Sequence, residues 1–223
     1  MAELEFRKDG AQRHRCALSV SEVDRAFEIL NGLAADKAGQ RLTDLPGLSE
    51  MLTADAPMGL IAASLIGPRA RPVRALLFDK TPTTNWSLPW HQDRTIVVRE
   101  RLDTPGYGPW SVKAGLTHVA PPFHLLEGMV TLRFHLDQVD EANAPLLIVP
   151  GSHRLGRVAE SDIPRHVDRL GQTACHADLG DVWAYSTPIL HASGPSTAPR
   201  RRRVLQVDYA STALDGDLEW LGV

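Results

Sequence analysis

The sequence predicts a mainly β protein with flanking helices, in which short strands form a sandwich or barrel. Apolar runs rich in strand-forming residues recur from residue 73 onwards, and Gly, Pro, Asn and Asp separate them. The runs lie at residues 73–79, 95–98, 128–136, 146–149, 173–179, 182–184 and 204–209. One helical pattern, at residues 161–170, interrupts them, and this arrangement argues against alternating β-α units.

The chain before residue 73 is predicted to be mostly helical. Residues 19–31 place apolar side chains at helical spacing, with serines available as N-caps and a glycine after the end. Two further helices are predicted at residues 48–53 and 57–66, and the second is apolar on almost every side, which predicts burial. We therefore expect residues 1–72 to form a helical flank that packs against a sheet.

A length of 223 residues predicts a single domain, 1–223, with residues 73–210 as its β core. Residues 99–126 form a long connection rich in Pro and Gly within this core. A connection of this length is usually functional or mobile, so it is a candidate substrate lid. The alternative is a simple hairpin around residues 111–119.

Composition excludes several classes of function. A formal net charge of -3 gives no global basic field, so nucleic acid is not expected as a partner, although Arg200 to Arg203 form a local basic run. The two cysteines, Cys16 and Cys175, indicate neither a disulfide framework nor a structural zinc site. No long apolar run or signal-like segment is visible, so we expect a cytoplasmic protein without membrane association. The sequence predicts no oligomeric state.

The pentapeptide at residues 90–94 carries the main chemical signal. On an extended strand, residues i and i+2 point to the same face, so His91 and Asp93 can converge on one point. Two imidazoles and one carboxylate form the facial site of non-haem Fe(II) oxygenases. Among nine histidines, His191 has the strongest context for the second imidazole, since it ends an apolar run and precedes Ala-Ser-Gly.

Residues 73–210 resemble the phytanoyl-CoA dioxygenase-like branch of the Fe(II)/2-oxoglutarate oxygenases. Three motifs in the same order carry the resemblance: His91-x-Asp93, the segment Pro145 to Arg154 with its Pro-Gly-Ser-His turn, and His191 followed eleven positions later by Arg202. Ala144 stands where the family usually has glycine. The resemblance implies a double-stranded β-helix, that is, a jelly-roll or cupin-like barrel.

The same resemblance implies the ligands and the reaction. His91, Asp93 and His191 would bind Fe(II), and Arg202 would hold the far carboxylate of 2-oxoglutarate. The oxygenase would use O2 to hydroxylate or otherwise oxidise a C–H bond of a small metabolite or natural-product intermediate, releasing succinate and CO2. A non-catalytic barrel that binds a metal and a 2-oxo acid, or a cupin-type isomerase or hydrolase, are the alternatives.

Further residues are candidates for the co-substrate or the substrate. Ser193 matches a family serine near the co-substrate carboxylate, and the upstream residues Lys80 and Asn85 match more loosely. Candidates for the substrate pocket are Trp86, Trp90, Trp110 and Arg133. His153, in the Pro-Gly-Ser-His turn, is expected to have a structural or entrance role rather than to bind the metal.

Two local questions stay open. Strand parity places Arg200 and Arg202 on one face and Arg201 and Arg203 on the other, but does not identify the inward face; the whole run can also be a basic surface patch. The strand at residues 129–137 alternates apolar and polar residues. Its polar face, which includes Arg133, lies either in water or in a ligand cavity.

Overall fold

The computed structural model describes residues 3–33, 37 and 39–223 of the chain. Two short 3-10 turns, Ser152–Arg154 and Glu160–Asp162, accompany the α-helices. The helices are α1 (Phe6–Asp9), α2 (Val20–Leu30), α3 (Leu48–Met51), α4 (Pro57–Ile66), α5 (Phe123–Glu127) and α6 (Ile163–Leu170). The helices predicted at residues 19–31, 48–53, 57–66 and 161–170 therefore correspond to α2, α3, α4 and α6.

Strands make up most of the remaining regular structure. In chain order they are β1 (Ala11–His14), β2 (Gly39–Leu42), β3 (Arg71–Lys80), β4 (Leu88–His91), β5 (Ile96–Val98), β6 (Trp110–Lys113), β7 (Leu116–Val119), β8 (Val130–His135), β9 (Leu146–Ile148), β10 (Thr173–Cys175), β11 (Val182–Ser186), β12 (His191–Ser193) and β13 (Arg202–Ala210).

All strand pairs are antiparallel, and the strands form three sheets. The largest sheet has the order β1-β11-β8-β13-β3-β2, the second has the order β10-β9-β12-β4, and a third small sheet has the order β5-β7-β6. The largest and the second sheet enclose a cavity to which both contribute side chains. The predicted mainly β jelly-roll architecture is confirmed.

The helical flank covers the outer face of the largest sheet. The alternating apolar residues of β8, including Leu132 and Phe134, pack in one core with Leu205 of β13 and with Leu48 and Met58 of the flank. The opposite face of β8, which carries Arg133, points to the cavity. The alternation in residues 129–137 therefore separates the main core from the interior of the barrel, and the polar face does not lie in open water.

Helix α2 begins with a complete capping box. The backbone amide of Glu22 donates to the Ser19 hydroxyl at 3.4 Å, and the backbone amide of Ser19 donates to the Glu22 carboxylate at 2.6 Å. Helix α4 is buried on one face only, because Leu60 is 57 % exposed. The apolar composition of α4 therefore overstates its burial.

Two strands within residues 1–72 are absent from the sequence prediction. Strand β1 adds to one edge of the largest sheet beside β11, and β2 adds to the other edge beside β3. Each has only four residues and a polar centre, Gln12-Arg13 in β1 and Gln40-Arg41 in β2. Such strands carry little alternation, and pairing with a preformed edge determines their conformation.

The connection at residues 99–126 contains β6, β7 and most of α5, and its first part has no regular secondary structure. Tyr107 and Leu126 within it pack in a separate core with Leu218 and Trp220 near the C-terminus. The Tyr107 hydroxyl also donates to Asp215 at 3.1 Å. The hairpin alternative thus describes its middle part, while its role as a substrate lid stays a prediction. Across the described residues, no helix is both long and apolar enough to span a membrane.

Candidate metal centre

Three side chains with metal-binding groups converge inside the cavity. His91 ends β4, Asp93 follows two residues later, and His191 begins β12 directly opposite His91 in the strand pairing. One nitrogen or oxygen atom from each side chain lies within 4.8 Å of those of the other two. The imidazole centroids of His91 and His191 are 4.2 Å apart. The structure thus brings together the three residues that the sequence analysis selected.

The residue between the first two ligands points the opposite way. Gln92 is buried, and its amide nitrogen donates to the carbonyls of Pro188 at 2.8 Å and Gly156 at 3.0 Å. Its amide oxygen accepts from the backbone nitrogen of Val158 at 2.9 Å. These three bonds fix the backbone on which His91 and Asp93 point inward.

Backbone carbonyls orient both imidazoles. Nδ1 of His91 lies 2.8 Å from the carbonyl oxygen of Pro89, and Nδ1 of His191 lies 3.0 Å from that of Ile189. A carbonyl only accepts, so Nδ1 carries the proton in each ring and Nε2 keeps its lone pair. Metal-binding histidines characteristically donate their second nitrogen in this way.

The surroundings of Asp93 and His191 also favour the protonation states in which these side chains can bind a metal. Burial raises the pKa of Asp93, but Arg74, His191 and His91 outweigh burial and hold it below its ordinary value. Burial lowers the pKa of His191 to about 4, although Asp93 opposes this shift. Asp93 is therefore an anion and His191 a neutral base near pH 7. Two imidazoles and one carboxylate suit Fe(II), so the residues fit the ion that the sequence analysis expects.

Arg74 of β3 links Asp93 to a second buried carboxylate. Its Nε donates to Asp208 at 2.5 Å, and its terminal nitrogen lies 3.4 Å from Asp93. The Thr131 hydroxyl donates to the other oxygen of Asp208 at 3.0 Å. Asp208 thereby holds Arg74 in place, and Arg74 holds Asp93.

The cavity next to these ligands has a volume of about 260 Å³. At one end lie Arg202 of β13 and Lys80 of β3, both almost completely buried. Lys80 donates to the carbonyl of Gly194 at 2.6 Å and to the Ser193 hydroxyl at 3.3 Å. Arg202 donates to the carbonyl of Ala144, while its Nε has no hydrogen-bond partner among the described atoms.

These two cations carry uncompensated charge. Burial, Arg202 and Arg133 lower the pKa of Lys80 to about 7. Burial and Arg133 lower the pKa of Arg202 to about 9, against a smaller opposing effect of Asp137. A buried cluster of cations of this kind is satisfied by an anionic ligand.

The other three arginines of the run at residues 200–203 have acidic partners outside the cavity. Arg200 pairs with Asp140, Arg201 pairs with Asp79 at 2.8 Å, and Arg203 pairs with Asp137 at 2.8 Å. Within this run, Arg202 alone lines the cavity. The structure therefore separates Arg202 from its neighbours, which strand parity alone could not do.

The remaining candidates divide into two groups. Ser193, Trp86 and Arg133 line the cavity. Asn85, Trp90 and Trp110 are not among the described lining residues. The Asn85 side chain bonds the backbone of Ser196 in both directions at 2.7 Å. Trp90 and Trp110 pack against separate apolar clusters. His153 also lies away from the cavity, with its ring beside Gly10.

Four basic lining residues lie outside the sequence-based selection. They are Arg41 of β2, Arg74 of β3, and Lys113 and His118 of the β6–β7 hairpin. Their positions depend on an edge pairing and on the fold of the 99–126 connection. No motif in the sequence marks them.

Comparison with solved structures places the fold among known enzymes. EctD from S. alaskensis, crystallised with 2-oxoglutarate and 5-hydroxyectoine, matches with a TM-score of 0.69 and 18 % identity, over 98 % of this chain and 77 % of that one. SnoK, a non-haem α-ketoglutarate-dependent carbocyclase from nogalamycin biosynthesis, matches with a TM-score of 0.67 and 20 % identity, over 98 % and 85 %. AviO1 from Streptomyces viridochromogenes Tue57 matches with a TM-score of 0.63 and 19 % identity, over 95 % and 94 %.

A search of curated protein sequences finds no match to the chain. The family model described as phytanoyl-CoA dioxygenase (PhyH), in contrast, matches residues 3–204. This match extends the resemblance of residues 73–210 through the helical flank. The chain belongs to the phytanoyl-CoA dioxygenase (PhyH) family of non-haem Fe(II)- and 2-oxoglutarate-dependent oxygenases.

Proposed function

We propose that the protein oxidises a C–H bond of a small metabolite or natural-product intermediate, with His91, Asp93 and His191 as the Fe(II) ligands. The observation that supports this proposal best is one cavity that holds both the three converging donors and the buried Arg202, which has no acidic partner among the described residues. Neighbours of the same fold were crystallised with 2-oxoglutarate, and in one case with Fe3+, α-ketoglutarate and nogalamycin RO.

The donor residues have distinct tasks in this proposal. His91 and His191 offer Nε2, since their Nδ1 protons are held by the carbonyls of Pro89 and Ile189. Asp93 supplies the single anionic donor, and Arg74 keeps it oriented. Three protein donors would leave the remaining coordination positions of the ion for the co-substrate and O2.

Arg202 and Lys80 bind the far carboxylate of 2-oxoglutarate in this proposal, and Ser193 adds a hydroxyl. A guanidinium pairs with a carboxylate through two parallel hydrogen bonds, and the buried position makes this pair stronger than one on the surface. Bound Fe(II), with 2-oxoglutarate and O2, supplies the oxidising chemistry and leaves succinate and CO2 as co-products. The protein residues then have to orient the substrate and exclude water, without a general acid or base.

The test uses purified metal-free protein in three steps. First, Fe(II) and 2-oxoglutarate are added without O2, and the visible charge-transfer absorbance is expected to rise with saturation. Second, admission of O2 is expected to give slow succinate formation even without a substrate. Absence of both signals contradicts the proposal.

The same test separates the two alternatives. A non-catalytic barrel binds Fe(II) and 2-oxoglutarate but gives no succinate. A cupin-type isomerase or hydrolase shows turnover that does not depend on O2. Either pattern excludes the proposed oxidation.

We also propose a cytoplasmic location. The reduced state of both cysteines supports it, since Cys16 and Cys175 are unpaired in the structure. Fractionation of the producing cells, followed by detection of the native chain, tests this proposal. Recovery of the protein outside the cytoplasmic fraction contradicts it.

A further inference from the structure

A second group of basic side chains, two cations and one imidazole, lies in the cavity away from Arg202. It consists of Arg41, Lys113 and the buried imidazole of His118, and we refer to it as the outer cation cluster. Arg41 lies opposite Leu76 in the pairing of β2 with β3, so its side chain shares the cavity face of that strand. Lys113 and His118 approach from the β6–β7 hairpin.

The members of this cluster have no acidic partner among the described residues. Nε of Arg41 is buried and makes no hydrogen bond there. Both ring nitrogens of His118 are likewise buried without a partner, although the side chain is only 1 % exposed. The great majority of buried polar groups in proteins have a hydrogen-bond partner, so such a cluster indicates a site for a polar ligand.

Lys113 and His118 lie on paired strands of one hairpin, and both line the cavity with Arg41. Burial first, and then the charges of Arg41, Arg74 and Lys113, lower the pKa of His118 to about 4. His118 is thus neutral near pH 7 and keeps one N–H to donate. The cluster offers one guanidinium, one ammonium at the rim and one neutral donor.

The net charge of the whole cavity indicates an anionic ligand. Six Lys or Arg side chains and one acidic side chain, Asp93, line it. Asp208, behind Arg74, offsets one of these cations. Fe(II) and the 2-oxoglutarate dianion carry equal and opposite charges, so loading the proposed cofactors leaves the positive excess unchanged. Of the cations that are neither paired with Asp208 nor assigned to the co-substrate, Arg41, Lys113 and Arg133 remain, and the first two belong to the outer cation cluster.

We propose that the outer cation cluster binds an oxyanion group, a carboxylate or a phosphate, of the molecule that the enzyme oxidises. This inference rests on the proposed function, because the cluster borders the same cavity as the metal ligands. Arg41 would supply the main charge-assisted bonds, Lys113 would add charge at the rim, and His118 would donate one hydrogen bond. Trp86 and Phe78 give the cavity an apolar wall for the rest of the substrate.

The experiment measures probe binding to protein loaded with Fe(II) and 2-oxoglutarate without O2. Benzoate and phenyl phosphate are the anionic probes, and benzamide and benzyl alcohol are their uncharged counterparts. At constant ionic strength, we expect at least one anionic probe to bind about tenfold or more tightly than the uncharged ones. The ranking of benzoate against phenyl phosphate distinguishes a carboxylate site from a phosphate site.

Two variants make the result specific. Arg41→Met is expected to abolish the preference for the anionic probe. Its affinity for 2-oxoglutarate is expected to stay within twofold of that of the parent protein, and its melting temperature within a few degrees. Arg200→Met removes the same charge from the surface, where Arg200 pairs with Asp140, and is expected to keep the preference.

Failure of this inference is distinguishable from failure of the proposed function. If 2-oxoglutarate binds but the anionic probes show no preference, or if Arg41→Met keeps the preference, the oxyanion site is refuted alone. If Arg41→Met weakens 2-oxoglutarate binding, Arg41 belongs to the co-substrate site and the inference is also refuted. If 2-oxoglutarate does not bind the parent protein, the proposed function itself fails.

Discussion

Arg202 and Lys80 lie directly opposite each other in the pairing of β13 with β3, and their side chains are only 2 % and 1 % exposed. Two buried cations side by side destabilise the empty protein, because each loses hydration and repels the other. A dicarboxylate removes this cost when it binds. The pair is therefore suited to an anionic ligand, and it lowers the stability of the protein when no such ligand is bound.

Removal of the Arg202 charge tests this relationship. Arg202→Met is expected to weaken 2-oxoglutarate binding by about 2 kcal/mol, or roughly thirtyfold in Kd, since a charge-assisted bond is lost. The free energy of unfolding of the ligand-free variant is expected to stay the same or rise, because a buried repulsion disappears. Calorimetric titration and urea denaturation measure the two quantities. Arg200→Met is the surface control, and an equal loss of affinity there contradicts the assignment of Arg202.

The pKa of Lys80 predicts proton uptake on binding. With a pKa of about 7, Lys80 is mostly neutral at pH 8 in the free protein. A bound carboxylate favours its protonated form, so binding at pH 8 is expected to take up most of one proton. At pH 6 the lysine is already charged, and the uptake is expected to vanish. Affinity for 2-oxoglutarate accordingly falls as the pH rises through 7 and above.

Calorimetry in buffers of different ionisation enthalpy measures this uptake. Lys80→Met is expected to remove most of it at pH 8, whereas Lys8→Met, at an exposed position in α1, is expected to leave it unchanged. Uptake that persists in Lys80→Met would assign the proton to another group.

Loss of the anionic metal donor is expected to abolish coupled oxidation. Asp93→Ala leaves two imidazoles and no anionic donor, so Fe(II) binding is expected to weaken by at least tenfold and succinate formation to fall below detection. Asp103→Ala, which removes an exposed carboxylate bonded to Arg101, serves as the control. Retained oxidation in Asp93→Ala refutes the ligand assignment.

The buried Asp208–Arg74 pair predicts a stability effect that is separate from the metal. Asp208→Ala leaves Arg74 without its 2.5 Å partner and is expected to lower the free energy of unfolding by about 3 kcal/mol or more. The double variant Arg74→Met/Asp208→Ala is expected to be less destabilised than Asp208→Ala alone, because it no longer contains a buried guanidinium without its carboxylate partner. Additive losses in urea denaturation would show that the two side chains do not act as a pair.

The sequence analysis could select the side chains of the candidate metal centre because part of their geometry is local. His91 and Asp93 are two residues apart, and the spacing from His191 to Arg202 follows two consecutive strands of a known family pattern. The choice of Arg202 within its run could not be made from strand parity, since the partners of the other arginines, among them Asp79 and Asp137, lie far away in the chain.

The outer cation cluster could not be predicted in the same way. Arg41 reaches the cavity because β2 pairs with the edge of β3, and β2 has no strand-like alternation. Lys113 and His118 depend on how the hairpin folds back within residues 99–126. Trp90 and Trp110 illustrate the converse, because large aromatic residues near a motif are as readily used for packing.

Gln92 links the metal ligands to two remote parts of the chain through its bonds to Pro188, Gly156 and Val158. Its bond to Pro188 connects the segment of His91 and Asp93 to the segment that leads into His191. The Gln92 amide, and not a metal ion, therefore fixes the spacing between the two strands that carry these side chains. In the proposed Fe(II) centre, the donor atoms would therefore keep their arrangement without the ion. Preorganisation of this kind would let oxidised or chelated metal leave and be replaced without refolding of the barrel.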